Sequence, residues 1–293
     1  MADVLPRISR RATLAALVGA AGVLATSRIA SSQDSASKGR LKQSFSHWPY
    51  SKIPLPEVYR RAKQIGFGAI DLMFPDEWPS AREAGFTVSM AYASRRDKFI
   101  ETGFNDPANH ALLLDELTAA LPLAARAQIP NLIAMFGKRV PGISDDAALE
   151  NCINGLSKIA PLAVKHGVTI CVELLNSKVD HLGYQGDHTA FGAAVMKGVN
   201  SPRVKLLYDI YHMQIMEGDV IRTIRDNIAW IGHFHTGGVP GRHEINDRQE
   251  LNYHAIASAI ADVKFEGYVA HEFVPTRTDP FESLQEAFRI CTV

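Results

Sequence analysis

Eight short runs of apolar or alternating residues recur from position 41 to the end of the chain, separated by helical spacing or turns. They are Leu41 to His47, Ala69 to Met73, Thr87 to Ala91, Asn131 to Met135, Thr169 to Leu174, Val204 to Asp209, Ile228 to His235, and Gly267 to Phe273. Strand-like runs that alternate with helical segments read as repeated βα units on a parallel sheet. Pro54 to Ile65 has proline at the helix entrance and Gly66 beyond its end, the asymmetry expected of helix termini. Asp106-Pro107 opens a second amphipathic stretch to Ala127, Ser144-Asp145-Asp146 a third to His166-Gly167, and Phe281 to Ile290 closes the chain. The second unit is thin, with only Glu77 to Ala84 available for two turns. An open doubly wound sheet would place a Gly-rich phosphate turn after its first strand. Phe45-Ser46-His47-Trp48-Pro49 stands there instead. The pattern therefore predicts an α/β fold, a single (β/α)8 barrel over residues 41–293, close to the usual size of about 250 residues.

The N-terminus follows other rules. Ser9-Arg10-Arg11-Ala12-Thr13-Leu14 places paired arginines before an uncharged Ala/Leu/Val/Gly-rich run reaching Thr26. That run is shorter than the ~20 apolar residues a bilayer span needs, so no stable membrane span is expected. It reads as the apolar region of an export signal over residues 1–32, with Ala30-Ser31-Ser32 as a small-residue cleavage site. The arginine pair resembles a twin-arginine signal, which implies a periplasmic destination for cargo folded before export. A polar linker, residues 33–40, precedes the barrel. Cys152, Cys171 and Cys291 make an odd count without CxxC spacing, so no disulfide framework is implied.

Charge narrows the partners. Lys plus Arg and Asp plus Glu both number 31, so no global basic field draws the protein to nucleic acid or to an anionic membrane. A small-molecule substrate is the better fit, and a homo-oligomer is compatible with it. The barrel predicts where that substrate binds, because active sites of this fold sit at the C-terminal ends of the strands. The last four strands each end in a group that can bind a metal. They are Glu173 in Thr169-Ile170-Cys171-Val172-Glu173, Asp209 in Leu206-Leu207-Tyr208-Asp209, His235 in His233-Phe234-His235, and Glu272 in Ala270-His271-Glu272. A lone carboxylate in an apolar strand is costly to bury, whereas one divalent cation would account for all four residues together. Three carboxylates and one imidazole suit Mn2+ or Mg2+, with Co2+ and Zn2+ as further candidates. The loop Gly237-Gly238-Val239-Pro240-Gly241-Arg242-His243-Glu244 crosses the expected mouth. Arg242 can bind a carboxylate there in bidentate fashion, and Glu244 is placed with it among the substrate contacts. His212, three residues past Asp209, is expected to reach a substrate oxygen, and His47 with Trp48 to form the wall.

Tyr208-Asp209-Ile210-Tyr211-His212-Met213-Gln214-Ile215-Met216-Glu217-Gly218-Asp219 resembles the sixth-strand segment of the hydroxypyruvate isomerase family. Pro240-Gly241-Arg242-His243-Glu244, Glu173-Leu174-Leu175-Asn176 with Gly183-Tyr184, and Gly267-Tyr268 leading to Glu272 are similar to its other signatures. That family belongs with the xylose-isomerase-like barrels and the ketose 3-epimerases. The resemblance implies metal-assisted isomerisation or epimerisation of a hydroxy-carbonyl or sugar substrate. Glu173 and Glu272 would then be ligands that also act as the acid/base pair, Asp209 and His235 would complete the metal shell, and His212 and Arg242 would hold the substrate. Two departures stand out. His235 replaces the Gln often found in hydroxypyruvate isomerases and matches the 3-epimerases, and Asp71 ends strand two where many relatives have Glu. Two alternatives compete with the isomerase. An apurinic-site endonuclease on the same barrel would need more histidines for a multi-zinc cluster and a basic groove, and an exported sugar-binding protein would have lost turnover.

Overall fold

A computed structural model of the chain describes residues 39–293; the expected signal, residues 1–32, and linker residues 33–38 lie outside them. Within the described part, eight parallel strands form one sheet. They are β1 (Lys42–Phe45), β2 (Ala69–Met73), β3 (Thr87–Ala91), β4 (Asn131–Met135), β5 (Thr169–Glu173), β6 (Val204–Asp209), β7 (Ile231–Thr236) and β8 (Tyr268–His271). Their order, β1-β8-β7-β6-β5-β4-β3-β2, brings the first strand beside the last. The remaining seam, between β1 and β2, is held by a parallel bridge from Ser46 to Asp71, with the His47 N–H donating to the Asp71 carbonyl at 3.1 Å. The sheet thus turns back on itself as a nearly closed barrel. β2, β4 and β5 are buried at every position, as parallel strands covered on both faces require.

Helix signals in the sequence map onto caps. Ser144 accepts from the Ala147 N–H at 3.2 Å to start α4 (Asp145–His166), and Gly167 ends it in the left-handed region at φ 69°. Those are the N-cap and C-cap chemistries expected of Ser and Gly. In chain order the other helices are α1 (Leu55–Ile65), α2 (Trp78–Glu83), α3 (His110–Arg126), α5 (Thr189–Val199), α6 (Ile210–Met216), α7 (Val220–Asn227), α8 (Tyr253–Asp262) and α9 (Pro280–Cys291). The seventh strand starts later than its apolar run suggests. Ile228–Trp230 forms a 3-10 turn that continues directly from α7, and the strand begins only at Ile231.

The connection from β3 to α3 crosses the end of β4. Phe104 and Asn105 donate their backbone N–H groups to the carbonyls of Met135 and Phe136 at 3.1 and 2.9 Å. Gly103 makes that approach feasible, because a Cβ there would lie 2.1 Å from the Gly137 nitrogen and from the Phe136 carbonyl carbon. Backbone on both sides cannot yield. Gly103→Ala should therefore cost ~3 kcal/mol through overpacking, lowering the thermal midpoint by about 6–12 °C for a chain of this size. Gly68→Ala, where a Cβ meets nothing within 4 Å, should leave the midpoint near wild type in the same calorimetric scan.

Candidate metal centre

β5, β6 and β7 carry Glu173, Asp209 and His235 at their C-terminal ends, and Glu272 directly follows β8. One ligand atom from each lies within 4.8 Å of the others, and all four side chains are buried. Asp209 is fixed by the chain that follows it. Its Oδ1 accepts from the backbone N–H groups of Tyr211 and His212 at 2.8 and 3.2 Å, capping α6, which leaves Oδ2 to face the centre. His235 Nδ1 faces Glu272 Oε2 at 2.6 Å, Glu173 Oε1 at 3.4 Å and Asp209 Oδ2 at 4.0 Å. It makes no aligned hydrogen bond to any of them.

The charges agree with the geometry. Burial above all, then the neighbouring carboxylates, outweigh Arg242 and His235 and push Asp209 up to about 7. Burial likewise holds Glu173 above the usual carboxylate range, with Glu272 adding to the rise and His235 opposing it. Burial would raise Glu272 too, but the Arg242 guanidinium and the His235 imidazole hold it below the usual range. Burial opposes it, but Glu272, Asp71 and Glu173 hold His235 well above its ordinary value, so with Arg242 the protein's own groups supply at most two cations against three buried carboxylates. An imidazole nitrogen aimed at three carboxylate oxygens without a hydrogen bond, and a surplus of buried negative charge, fit a divalent cation.

Glu173, Glu272 and Arg242 line a cavity of about 320 Å³ whose wall includes Trp48, Phe74, Tyr92 and Phe99. Arg242 donates to Glu272 Oε2 at 2.8 Å and lies 3.6 Å from Asp209 Oδ2. Its guanidinium stacks near the rings of Trp48 and Tyr211, at 5.3 and 5.5 Å from their centroids. His212 is fully buried beside Asp209, its Nε2 3.6 Å from Asp209 Oδ2 and without a partner. Its Nδ1 accepts from the Asn176 backbone N–H at 3.1 Å. Burial holds the ring well below its ordinary pKa, with Arg242 adding to the effect, so the neutral ring carries its hydrogen on Nε2.

Residues 59–291 match the family described as the xylose isomerase-like TIM barrel. The chain belongs to that family. It is 26% identical over 242 residues to the 2-oxo-tetronate isomerase of Pectobacterium atrosepticum, covering 77% of this chain and 88% of the relative. A putative hydroxypyruvate isomerase of Homo sapiens is 29% identical over 251 residues, covering 81% and 90%. Among solved structures, the family 2 AP endonuclease of Brucella melitensis superposes with a TM-score of 0.67 at 26% identity, covering 83% of this chain and 97% of that one.

Two expected substrate contacts of this xylose isomerase-like barrel lie elsewhere. The chain leaves β1 into a 3-10 turn, Trp48–Tyr50, and His47 adopts helical rather than extended backbone angles. Its Nδ1 therefore faces Glu77 Oε1 at 3.8 Å, outside the cavity wall, whereas Trp48 reaches the centre and donates its indole N–H to Glu272 Oε1 at 2.6 Å. Glu244 turns away as well. Its oxygens accept from the Thr276 N–H at 2.7 Å, the Thr276 hydroxyl at 2.9 Å and the Ser283 hydroxyl at 2.8 Å, tying the Arg242 loop to α9 and the segment before it. The spacing of residues carried no sign of either turn. Asn176 had no separate signal; Trp48 was expected only as wall, and Asp71, which touches His235, lies in the middle of β2 rather than at its end as expected.

Although burial alone would raise it, the Thr276 N–H and the Ser283 hydroxyl lower the Glu244 carboxyl from 4.5 to about 2. A depressed folded-state pKa contributes stability present above about 4.5 and lost as pH falls toward 2. Glu244→Gln should thus be less stable than wild type at neutral pH. Urea unfolding from pH 5 to pH 2 should show a shallower loss for the variant. Parallel curves would mean that Glu244 does not hold the loop through its charge.

Proposed function

We propose that the protein is a metal-dependent isomerase of an α-hydroxy carbonyl compound of the hydroxypyruvate or 2-oxo-tetronate class. The observation that carries this reading is the pair Glu173 and Glu272, both lining the cavity and both facing the one imidazole of the quartet. Glu173, Asp209, His235 and Glu272 would hold the cation. A divalent cation there would polarise the carbonyl and hydroxyl oxygens of a bound substrate and stabilise enediolate charge as a Lewis acid.

The protein's own groups then divide the work. One of Glu173 and Glu272 takes the carbon-bound proton and the other returns a proton to the neighbouring carbon, as general base and general acid. They come from β5 and the end of β8, strands that are not neighbours in the sheet, which lets them approach a substrate from different sides. Trp48 fixes Glu272 through its indole N–H. His212, buried behind the wall, directs its Nε2–H toward Asp209 Oδ2, 3.6 Å away, rather than into the cavity, and Arg242 offers a guanidinium to a substrate carboxylate. The aromatic wall keeps water from the reacting carbons. The names of the relatives support an isomerase, and the equal counts of acidic and basic residues speak against nucleic acid as the substrate.

A ketose 3-epimerase on the same centre is the second reading, favoured by an imidazole at position 235 and by the aromatic wall. The Arg10-Arg11 pair before an apolar run supports export of the folded barrel to the periplasm, which cell fractionation would check.

Mass spectrometry of substrates incubated with Mn2+-loaded protein in deuterated water tests the main reading. Deuterium should enter hydroxypyruvate or 2-oxo-tetronate, and a chelator should stop it until Mn2+ or Mg2+ is returned. Glu272→Gln should slow exchange by about 10²–10⁴-fold, the usual weight of a general acid or base, with the fold unchanged by circular dichroism. Label entering only neutral ketoses would favour the epimerase.

A further inference from the structure

Beneath the quartet, inside the barrel, lies a buried cluster that the proposed reaction leaves without a task. Asp71 on β2 is fully buried, with Oδ2 2.9 Å from His235 Nε2. Its Oδ1 accepts from the Ser89 hydroxyl at 2.5 Å and lies 3.2 Å from His233 Nε2. β2 and β7 are not neighbours in the sheet, so this contact spans the barrel interior.

The backbone is shaped to deliver that carboxylate. The β2–β3 register shifts on both sides of Asp71. The next residue, Leu72, sits in the left-handed region at φ 54°, a conformation that is strained for a non-glycine residue. In a regular strand successive side chains point to opposite faces. Here Leu72 lines the cavity while Asp71 beside it also points inward, the re-aiming that a bulge produces.

We propose that Asp71 is a positioning residue of the metal centre, acting through His235; this rests on the quartet being that centre. A neutral imidazole carries one N–H, and the partner of one nitrogen decides the state of the other. An ionised carboxylate only accepts, so Asp71 requires the hydrogen of His235 on Nε2. The lone pair is then on Nδ1, which faces Glu173, Asp209 and Glu272. Without Asp71 the hydrogen can move to Nδ1, 2.6 Å from Glu272 Oε2, and a hydrogen bond there would occupy two ligand atoms at once.

Mn2+ titrations followed by electron paramagnetic resonance, with circular-dichroism melts of the metal-free proteins, test the assignment. Asp71→Asn should raise the Mn2+ dissociation constant by about 10–100-fold, the usual weight of such a partner. Ser89→Ala breaks the same buried network but leaves the Asp71–His235 contact, and should bind Mn2+ near wild type. Asp71→Glu keeps the carboxylate and should regain part of the affinity despite its extra methylene. A purely structural role predicts the reverse order, with Glu no better than Asn. Wild-type affinity in Asp71→Asn, or an equal loss in Ser89→Ala, overturns the assignment alone. If Asp71→Asn does not fold, the Glu and Ser89→Ala variants decide by the same two criteria. A wild-type protein that binds no Mn2+, Mg2+, Co2+ or Zn2+ overturns the metal centre itself and this assignment with it.

Discussion

Three carboxylates buried within reach of one another impose the condition that the mouth of this barrel is built to meet. In water their repulsion would be slight, but in a low-dielectric interior it is large and unscreened. Each surrounding group answers part of it. Arg242 places a cation against Glu272 and Asp209, with its guanidinium near two aromatic rings. Trp48 donates to one oxygen of Glu272, and two backbone N–H groups of α6 take one oxygen of Asp209. The oxygens left over are those that point toward the shared centre. What the protein leaves unbalanced is therefore localised, and it coincides with His235 Nδ1, an imidazole nitrogen without an aligned partner.

The metal-competent quartet was legible in the sequence because each member sits at the C-terminal end of a strand. A period of two also placed His233 and His235 on one face. Three of its four strands end within a residue of their apolar runs, since the runs are short and closed by polar groups or glycine. β7 was overextended because Ile228-Ala229-Trp230 is as apolar as a strand, and only the preceding helix decides its conformation. α5 was not among the expected helices: with two glycines in Thr189–Val199 and almost no polar face it shows little helical periodicity, because it packs between the sheet and α4.

The rest of the site was hidden for a different reason. His47 and Glu244 have the right chemistry and the right neighbourhood, but a 3-10 turn and a triple hydrogen bond send them elsewhere. Trp48 and Asp71 are the converse. An indole next to a barrel mouth reads as wall, and an aspartate in Ala69-Ile70-Asp71-Leu72-Met73 reads as facing one side while Leu72 faces the other. A bulge breaks that alternation, and nothing in the residue types announces it. Local backbone irregularity is thus what separates the part of the site that could be read from the part that could not.

The β1–β2 seam has one further meaning. Most strand pairs are joined at several positions, whereas this one is joined by a single bridge at Asp71, whose carbonyl also takes the His47 N–H, and β3 meets β4 only at Ala91 and Leu132. A sparsely bonded joint of the cylinder and the side-chain contact to His235 therefore belong to the same residue. Local opening proceeds where few hydrogen bonds hold, so breathing of the barrel and loosening of its centre become one event. Whatever occupies the mouth tightly would act, through that residue, as a clasp on the whole wall.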